Sequence, residues 1–302
     1  MVLQGENRTE NYIVLFDGQI VFEYNETLCV IVLIVSIVCT VMTITINSLF
    51  LITVFKTNYI KSTYQKLYTC LAITDLLFGI TTWPSTVVLL SRLLHGDYNV
   101  EVQFKYTHCW SVNLLGISFC IIFLITLDQY LSIAHPFFYD RNISFKRLTI
   151  VICVMTFTNL VINIAVLTID IQLNSKVLEP VTAGIIFMGI IPSALMYMRV
   201  FHVIQKSQQR IKDVTLASHQ GSQLKSKLKA IKNILLAYLA VLICFSPYGT
   251  YCILRRKGRF TDTYVLIPAT ILTCTTSMWD LLIFYLRYAD IRRASQAVLK
   301  QC

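Results

Sequence analysis

Charge is scarce in this chain. Asp, Glu, Lys and Arg make up 14% of its 302 residues, against about a quarter in a soluble protein. So few charged side chains cannot cover the one large or two ordinary soluble domains that this length would make. No apolar stretch of leader length precedes residue 28, so no cleavable leader is expected and the first long apolar run is expected to serve as the targeting signal. Cys and His never stand at metal-site spacing, and the five histidines (95, 108, 135, 202, 219) lie toward the ends of the apolar runs and between them. There is no Gly-rich phosphate loop, no Gly-x-Ser-x-Gly elbow and no His-Glu-x-x-His helix, so nothing points to an enzyme. Internal repeats are absent too. What the chain has instead is apolar residues, 56% of the total, with a mean hydropathy of +0.64. That excludes disorder. The ten cysteines fall mostly inside the apolar runs, where Cys behaves as a small hydrophobe and not as part of a disulfide framework.

A bilayer suits such runs, since a helix crosses it with about 20 mostly apolar residues. Seven runs qualify, at roughly 28–55, 64–92, 103–135, 146–170, 180–206, 225–254 and 262–287. None alternates with the two-residue period of a barrel strand. Of the 26 Lys and Arg, eighteen fall on one side of this zigzag and eight on the other. The richer side is expected to be cytoplasmic, which puts the N-terminus outside and the C-terminus inside. The net charge of +10 is therefore topological and implies no nucleic-acid partner. On the expected outside stand two glycosylation sequons, at Asn7 and Asn25; a third, at Asn142, falls on the inner side and is expected to be unused. The polar stretch 207–224 reads as a loop between the fifth and sixth runs. After the seventh, Ile291, Ala294 and Val298 stand on one face beside Arg292, Arg293 and Lys300, the pattern of a short amphipathic helix lying on membrane lipid. Cys302 beyond it is a candidate for palmitoylation, or simply a terminal residue. The expected fold is an all-α membrane protein, a seven-transmembrane helix bundle with a short C-terminal amphipathic helix. Its divisions are an extracellular segment 1–27, the membrane domain 28–287 and the amphipathic end 288–302.

Ionisable groups at mid-membrane are costly and usually functional. Two acids fall there, Asp75 in the second run and Asp280 in the seventh, with Asn47, Ser118, Thr276 and Ser277 at similar depth. Interhelical hydrogen bonding accounts for the neutral groups on their own. Two facing acids, however, cannot both stay charged without a cation or a shared proton, so the expectation here is an ion or proton site.

Local motifs add a family. The second run reads Leu71-Ala72-Ile73-Thr74-Asp75, with Trp83-Pro84 further on. The third ends Asp128-Gln129-Tyr130-Leu131-Ser132-Ile133-Ala134-His135-Pro136-Phe137-Phe138-Tyr139; the fifth holds Tyr197-Met198-Arg199-Val200-Phe201 and the sixth Cys244-Phe245-Ser246-Pro247. Together these resemble the rhodopsin-like (class A) G-protein-coupled receptors, over about residues 28–299. The 28-residue interval from Asn47 to Asp75 and the 10-residue interval from Ser118 to Asp128 match the family's spacing. The resemblance implies a cell-surface receptor that passes an extracellular signal to a heterotrimeric G protein. It implies an allosteric sodium ion at Asp75, Ser118, Thr276, Ser277 and Asp280, and no other cofactor. It implies a ligand cavity lined by Ser111, Val112, Leu115, Phe245, Tyr248 and Thr270, and a G-protein interface of Asp128, Gln129, Tyr130, Phe137 and Tyr197. Trp110, Phe119, Phe123, Met188 and Trp279 are expected to pack rather than to meet ligand.

The departures are as informative. The family's Asp-Arg-Tyr is Asp128-Gln129-Tyr130, so the arginine is missing, and Lys227 stands where its helix-six acid partner usually lies. The helix-seven Asn-Pro-x-x-Tyr is Asp280-Leu281-Leu282-Ile283-Phe284, without proline or tyrosine. Phe245 replaces the helix-six Trp, Gly189 the helix-five Pro, and Phe104 the helix-three Cys that would reach the second extracellular loop. A short second loop lacking cysteine looks most like the melanocortin, adenosine and cannabinoid branch. An amine ligand would need an acid where Ser111 stands, so amines are disfavoured. A retinal protein would need a lysine in the seventh run, and none occurs between Lys257 and Lys300. The competing expectation is a receptor-like protein with weak or no coupling, acting as a decoy or scaffold, which Gln129 and Phe284 favour.

Overall fold

The computed structural model describes residues 2–3, 11–16, 19–57, 63–96, 101–173, 239–240, 242–251, 263–287 and 289–300, with isolated helical positions between 184 and 202. Tyr197, Met188, Gly189, Lys227, Asn7 and Cys302 lie outside the described residues.

Helices α1 (Glu26–Thr57), α2 (Thr63–Leu94) and α3 (Glu101–Ala134) are followed by the short α4 (Pro136–Asn142) and by α5 (Phe145–Leu173). Residues 242–251 are helical and form α6. They are followed by α7 (Thr263–Cys274), α8 (Thr276–Arg287) and α9 (Ala289–Leu299). Stretches of α1, α2, α3 and α5 are long and apolar enough to cross a bilayer, at 31, 30, 24 and 21 residues. The helix bounds lie within three residues of the hydrophobic runs that foretold them.

The N-terminal segment, expected only as an extracellular segment, carries a small antiparallel sheet in the order β1 (Val2–Leu3), β2 (Asn11–Phe16), β3 (Gln19–Asn25). The helical class thus describes the membrane domain and not the segment before it. Asn11 stands opposite Asn25 and Phe16 opposite Gln19, with an irregularity between Val14 and Leu15. The sequence between these two strands is Asp17-Gly18, the dipeptide that two-residue hairpins favour.

Three local features set the helix ends. Gly96, just past α2, has φ +79°, a left-handed conformation that a Cβ would strain. Pro136 opens α4 where a missing N–H costs nothing, and Ile143 ends that helix in an extended conformation. The seventh run, expected as one span, is two helices broken at Thr275. No proline lies at the break. Instead the hydroxyls of Thr275, Thr276 and Ser277 donate to the carbonyls of Leu272, Thr273 and Cys274, three residues back, at 2.7, 2.7 and 3.1 Å. They compete with backbone N–H groups for those carbonyls, which loosens the helix there.

The core is layered. Toward the end of the bundle that the charge bias puts outside, Cys39, Phe78, Trp83, Leu114, Leu115, Phe119, Phe245, Tyr248, Tyr251, Ala269 and Cys274 form one apolar cluster. Toward the inner end a second includes Phe50, Leu67, Leu71, Ile121, Leu124, Leu281 and Ile291. Between the two lies a polar layer of Asn47, Asp75, Ser118, Thr276, Ser277 and Asp280, all buried. At the outer end, Arg92 of α2 donates to Gln103 of α3 at 2.5 Å, tying those two helices together. At the inner end α9 seats its apolar face against α1, with Ile291 and Val298 buried. There the Thr53 and Ser295 hydroxyls share a buried hydrogen bond of 2.9 Å.

Candidate functional site

The polar layer is built by four helices. Ser118 of α3 donates to Asp75 Oδ1 of α2 at 2.8 Å and shares a 3.1 Å bond with the Thr74 hydroxyl. From α1, Asn47 Nδ2 donates to the Thr43 carbonyl at 2.7 Å and reaches the Ser277 carbonyl of α8 at 3.3 Å. Asp280 of α8 neighbours Asp75. Thr276 and Ser277 spend their hydroxyl protons on the last carbonyls of α7 but keep oxygen lone pairs. The layer therefore brings together all five residues named for a sodium site, and adds Asn47.

Its hydrogen bonding is unbalanced. Asp75 Oδ2, Asp280 Oδ2 and Asn47 Oδ1 are buried acceptors with no hydrogen-bond partner among the described residues. An unanswered buried acceptor costs about 1–3 kcal/mol, more if charged, and a lone carboxylate in hydrocarbon is dearer still. A donor or positive charge between the carboxylates would relieve all three. The surrounding ligands are oxygen throughout, the set suited to a hard cation.

A second buried carboxylate lies at the inner end of α3. Asp128 accepts from the Tyr139 hydroxyl of α4 at 2.9 Å and from Gln129 Nε2 at 3.4 Å. Burial first, and then the Asp128 charge, push the Tyr139 hydroxyl up to about 12. Tyr139 therefore stays a donor at any physiological pH. Its part could have been read from Pro136, which starts a helix on which Tyr139 falls one turn later. Tyr130 is half-buried beside His135, with ring centroids 6.0 Å apart. Phe137, by contrast, is 90% exposed.

Of the expected ligand-cavity residues, Leu115, Phe245 and Tyr248 share the outer apolar cluster. Phe119 packs on Phe245 with ring centroids 5.7 Å apart. Ser111 is buried and returns its hydroxyl to the Thr107 carbonyl at 2.6 Å. Val112 and Thr270 are partly buried. Trp110 and Trp279, expected to pack rather than to meet ligand, lie outside the buried clusters. They are 45% and 39% exposed on the bundle's outer surface, and Trp110 Nε1 donates to the Thr81 hydroxyl at 2.9 Å.

Sequence reasoning missed a polar seam between α3 and α5. Asn159 Nδ2 donates to the Asn113 carbonyl at 2.9 Å, and Asn163 Nδ2 bonds the Asn159 carbonyl and side chain at 2.8 and 3.0 Å. The approach depends on Gly116, where a Cβ would come within 2.8 Å of Asn159 Nδ2. Two asparagines four apart in an apolar run facing a glycine were the available signal.

Residues 46–283 match the family model described as 7 transmembrane receptor (rhodopsin family). No curated protein matches the chain.

Proposed function

The chain belongs to the rhodopsin family of seven-transmembrane receptors, and from that premise we propose a plasma-membrane receptor that binds an extracellular ligand and signals, weakly, to a heterotrimeric G protein. The family match over residues 46–283 is the observation that carries this reading. The excess of Lys and Arg in the loops of one side supports an N-terminus outside, with Asn7 and Asn25 available for glycosylation, and a C-terminus inside, with Cys302 available for a lipid anchor. The ligand cavity is assigned to Ser111, Val112, Leu115, Phe245, Tyr248 and Thr270. Its mostly apolar lining with few polar anchors suits a small molecule, and the lack of an acid at Ser111 disfavours amines. The branch nearest in features is that of the melanocortin, adenosine and cannabinoid receptors. The polar layer is assigned to one sodium ion or one shared proton, held by Asp75, Ser118, Thr276, Ser277 and Asp280.

At the inner end the G protein would meet Asp128, Gln129, Tyr130, Phe137 and Tyr197. Gln129 is neutral and shorter than the family's arginine, so it neither neutralises Asp128 nor makes the same reach. A hydrogen bond to a charged group contributes about 1.5–3 kcal/mol, and every 1.4 kcal/mol is about tenfold in an equilibrium. Agonist-driven nucleotide exchange is therefore expected to be feeble in the native chain and to rise roughly tenfold or more in Gln129→Arg, at matched surface expression. Strong native exchange with no gain in the variant would assign coupling to Tyr130, Tyr197 and Phe137. No exchange in either protein would favour the decoy or scaffold reading to which the loss of that arginine already inclines.

A further inference from the structure

Two joints of the bundle meet at one side chain. Helix α6 carries Pro247, whose missing N–H leaves the Ile243 carbonyl without its usual donor and opens that turn. The seventh run, beside it, is broken at Thr275. Cys244, buried in the opened turn of α6, is held from both sides of that break. Its carbonyl accepts from the Thr273 hydroxyl at 3.0 Å, and its thiol meets the Thr275 hydroxyl. The Thr273 hydroxyl lies as near to a carbonyl of its own helix, that of Ala269 at 2.9 Å.

A hydroxyl has one proton and turns to suit its surroundings, so the two carbonyls compete for it. Ser85, Ser91 and Thr149 spend theirs on a carbonyl four residues back in their own helix. Thr273 divides its own between two helices. With α6 packed inward, both carbonyls are served. With α6 swung away, the proton goes wholly to Ala269, so part of one bond is lost and no buried donor is stranded. That loss is smaller than the cost of leaving a buried group unanswered. The surroundings give the bond its weight, because Thr273 and Cys244 are each buried and Phe245, Ala269 and Cys274 next to them belong to the outer apolar cluster, where hydrogen bonds are strengthened.

We propose that Thr273 is a positioning residue for α6, a clutch that holds the Pro247 turn against the Thr275 break and lets go easily when α6 swings outward. At the inner end Gln129 and Lys227 stand where an arginine and an acid would pair, so no such ion pair restrains helix six there. The restraint falls instead at mid-membrane, where Thr273 and Thr275 grip Cys244. Thr275 adds to the hold, and the shared proton of Thr273 makes it reversible. A consequence for signalling, higher agonist-independent activity once the clutch is released, rests on the reading of the chain as a coupled receptor.

The test is hydrogen exchange of the full-length protein in nanodiscs, read by mass spectrometry. Thr273→Val keeps the outline of the side chain and removes its proton. Exchange over residues 242–251 should quicken about threefold, the average worth of an interhelical hydrogen bond in a membrane, while residues 109–132 of α3 keep the wild-type rate. Thr273→Ser should restore the wild-type rate over 242–251. Thr40→Val, which removes a hydroxyl returned to the Ser36 carbonyl of α1, should leave α6 unchanged. If Thr273→Val does not fold, Thr275→Val cuts the second contact with Cys244 and should quicken the same residues. Unchanged exchange over 242–251 in Thr273→Val, or in Thr275→Val where it alone folds, overturns the clutch, and so does a rise that α3 shares equally. Agonist-independent nucleotide exchange, measured on the same preparations, tells the clutch from the coupling. Faster hydrogen exchange over 242–251 with no nucleotide exchange in any variant, Gln129→Arg included, supports the clutch and overturns G-protein coupling.

Discussion

Asp75 and Asp128 are both aspartates buried in this bundle, and their surroundings treat them in opposite ways. Asp128 has a donor for each oxygen, Tyr139 on one and Gln129 on the other. Asp75 has Ser118 on one oxygen and no described partner on the other, with a second acid, Asp280, beside it in the same condition. A carboxylate answered by the chain's own neutral donors is a fixed structural joint. One without a described partner on its second oxygen, next to another acid, is where a cation or a shared proton is proposed. The mid-membrane layer leaves carboxylate oxygens without a described donor, while at the inner end Tyr139 acts as a latch on Asp128.

The comparison can be broken at the latch first, where the effect should be largest. Tyr139→Phe removes the hydroxyl from Asp128, a loss of about 1.5–3 kcal/mol for a bond to a charged acceptor. The resting state should loosen, and agonist-independent nucleotide exchange should rise roughly tenfold or more at equal expression. Unaltered basal exchange would mean that Asp128 does not restrain the inner end. High pH provides a check on the sign. The Tyr139 hydroxyl is raised from 10.0 to about 12, so its contribution is complete below pH 10 and is lost only as pH climbs through about 12.

A smaller effect should separate structural hydrogen bonds from functional ones. Gly116→Ala forces Asn159 away from the Asn113 carbonyl, and such interhelical bonds average about 0.6 kcal/mol in membranes, reaching about 1.7. The variant should melt a few degrees lower with an unchanged response to sodium and pH. A changed ion response would show that α3, and with it Ser118, moves when the α3–α5 seam is disturbed. The smallest effect is expected from Thr53→Val, which strands the buried Ser295 hydroxyl of α9. A cost of about 0.6 kcal/mol should appear as roughly threefold faster hydrogen exchange over residues 289–299, and unchanged exchange would show that Ile291 and Val298 hold α9 without it.

Much of this was legible in the sequence, for physical reasons. Hydrophobic run length located α1, α2, α3 and α5, because a bilayer imposes one length on everything that crosses it. Depth along those runs was enough to bring Asn47, Asp75, Ser118 and Asp280 into one layer. The break at Thr275 was not foreseen, since hydroxyls bend a helix only when they turn back on the backbone, and composition does not record which way they turn. Thr40 and Thr43 make the point, being three residues apart with opposite hydrogen bonding. The Tyr139 latch was hidden because it joins two elements across a corner. The N-terminal sheet was overlooked although Asp17-Gly18 stood between two alternating apolar stretches, because attention to membrane-length runs passes over strands of six or seven residues.

The account rests on a positive charge between Asp75 and Asp280, and thermal unfolding of the purified protein tests that most directly. A ligand that binds only the folded state stabilises it by about 1.4 kcal/mol at tenfold its dissociation constant. Melting temperatures of wild type and Asp280→Asn would be measured from sodium-free to physiological sodium, and from pH 8 down to pH 5. The wild type should melt several degrees higher as sodium rises or as pH falls, and Asp280→Asn should be flat in both. A wild type equally indifferent to sodium and to pH would contradict the account.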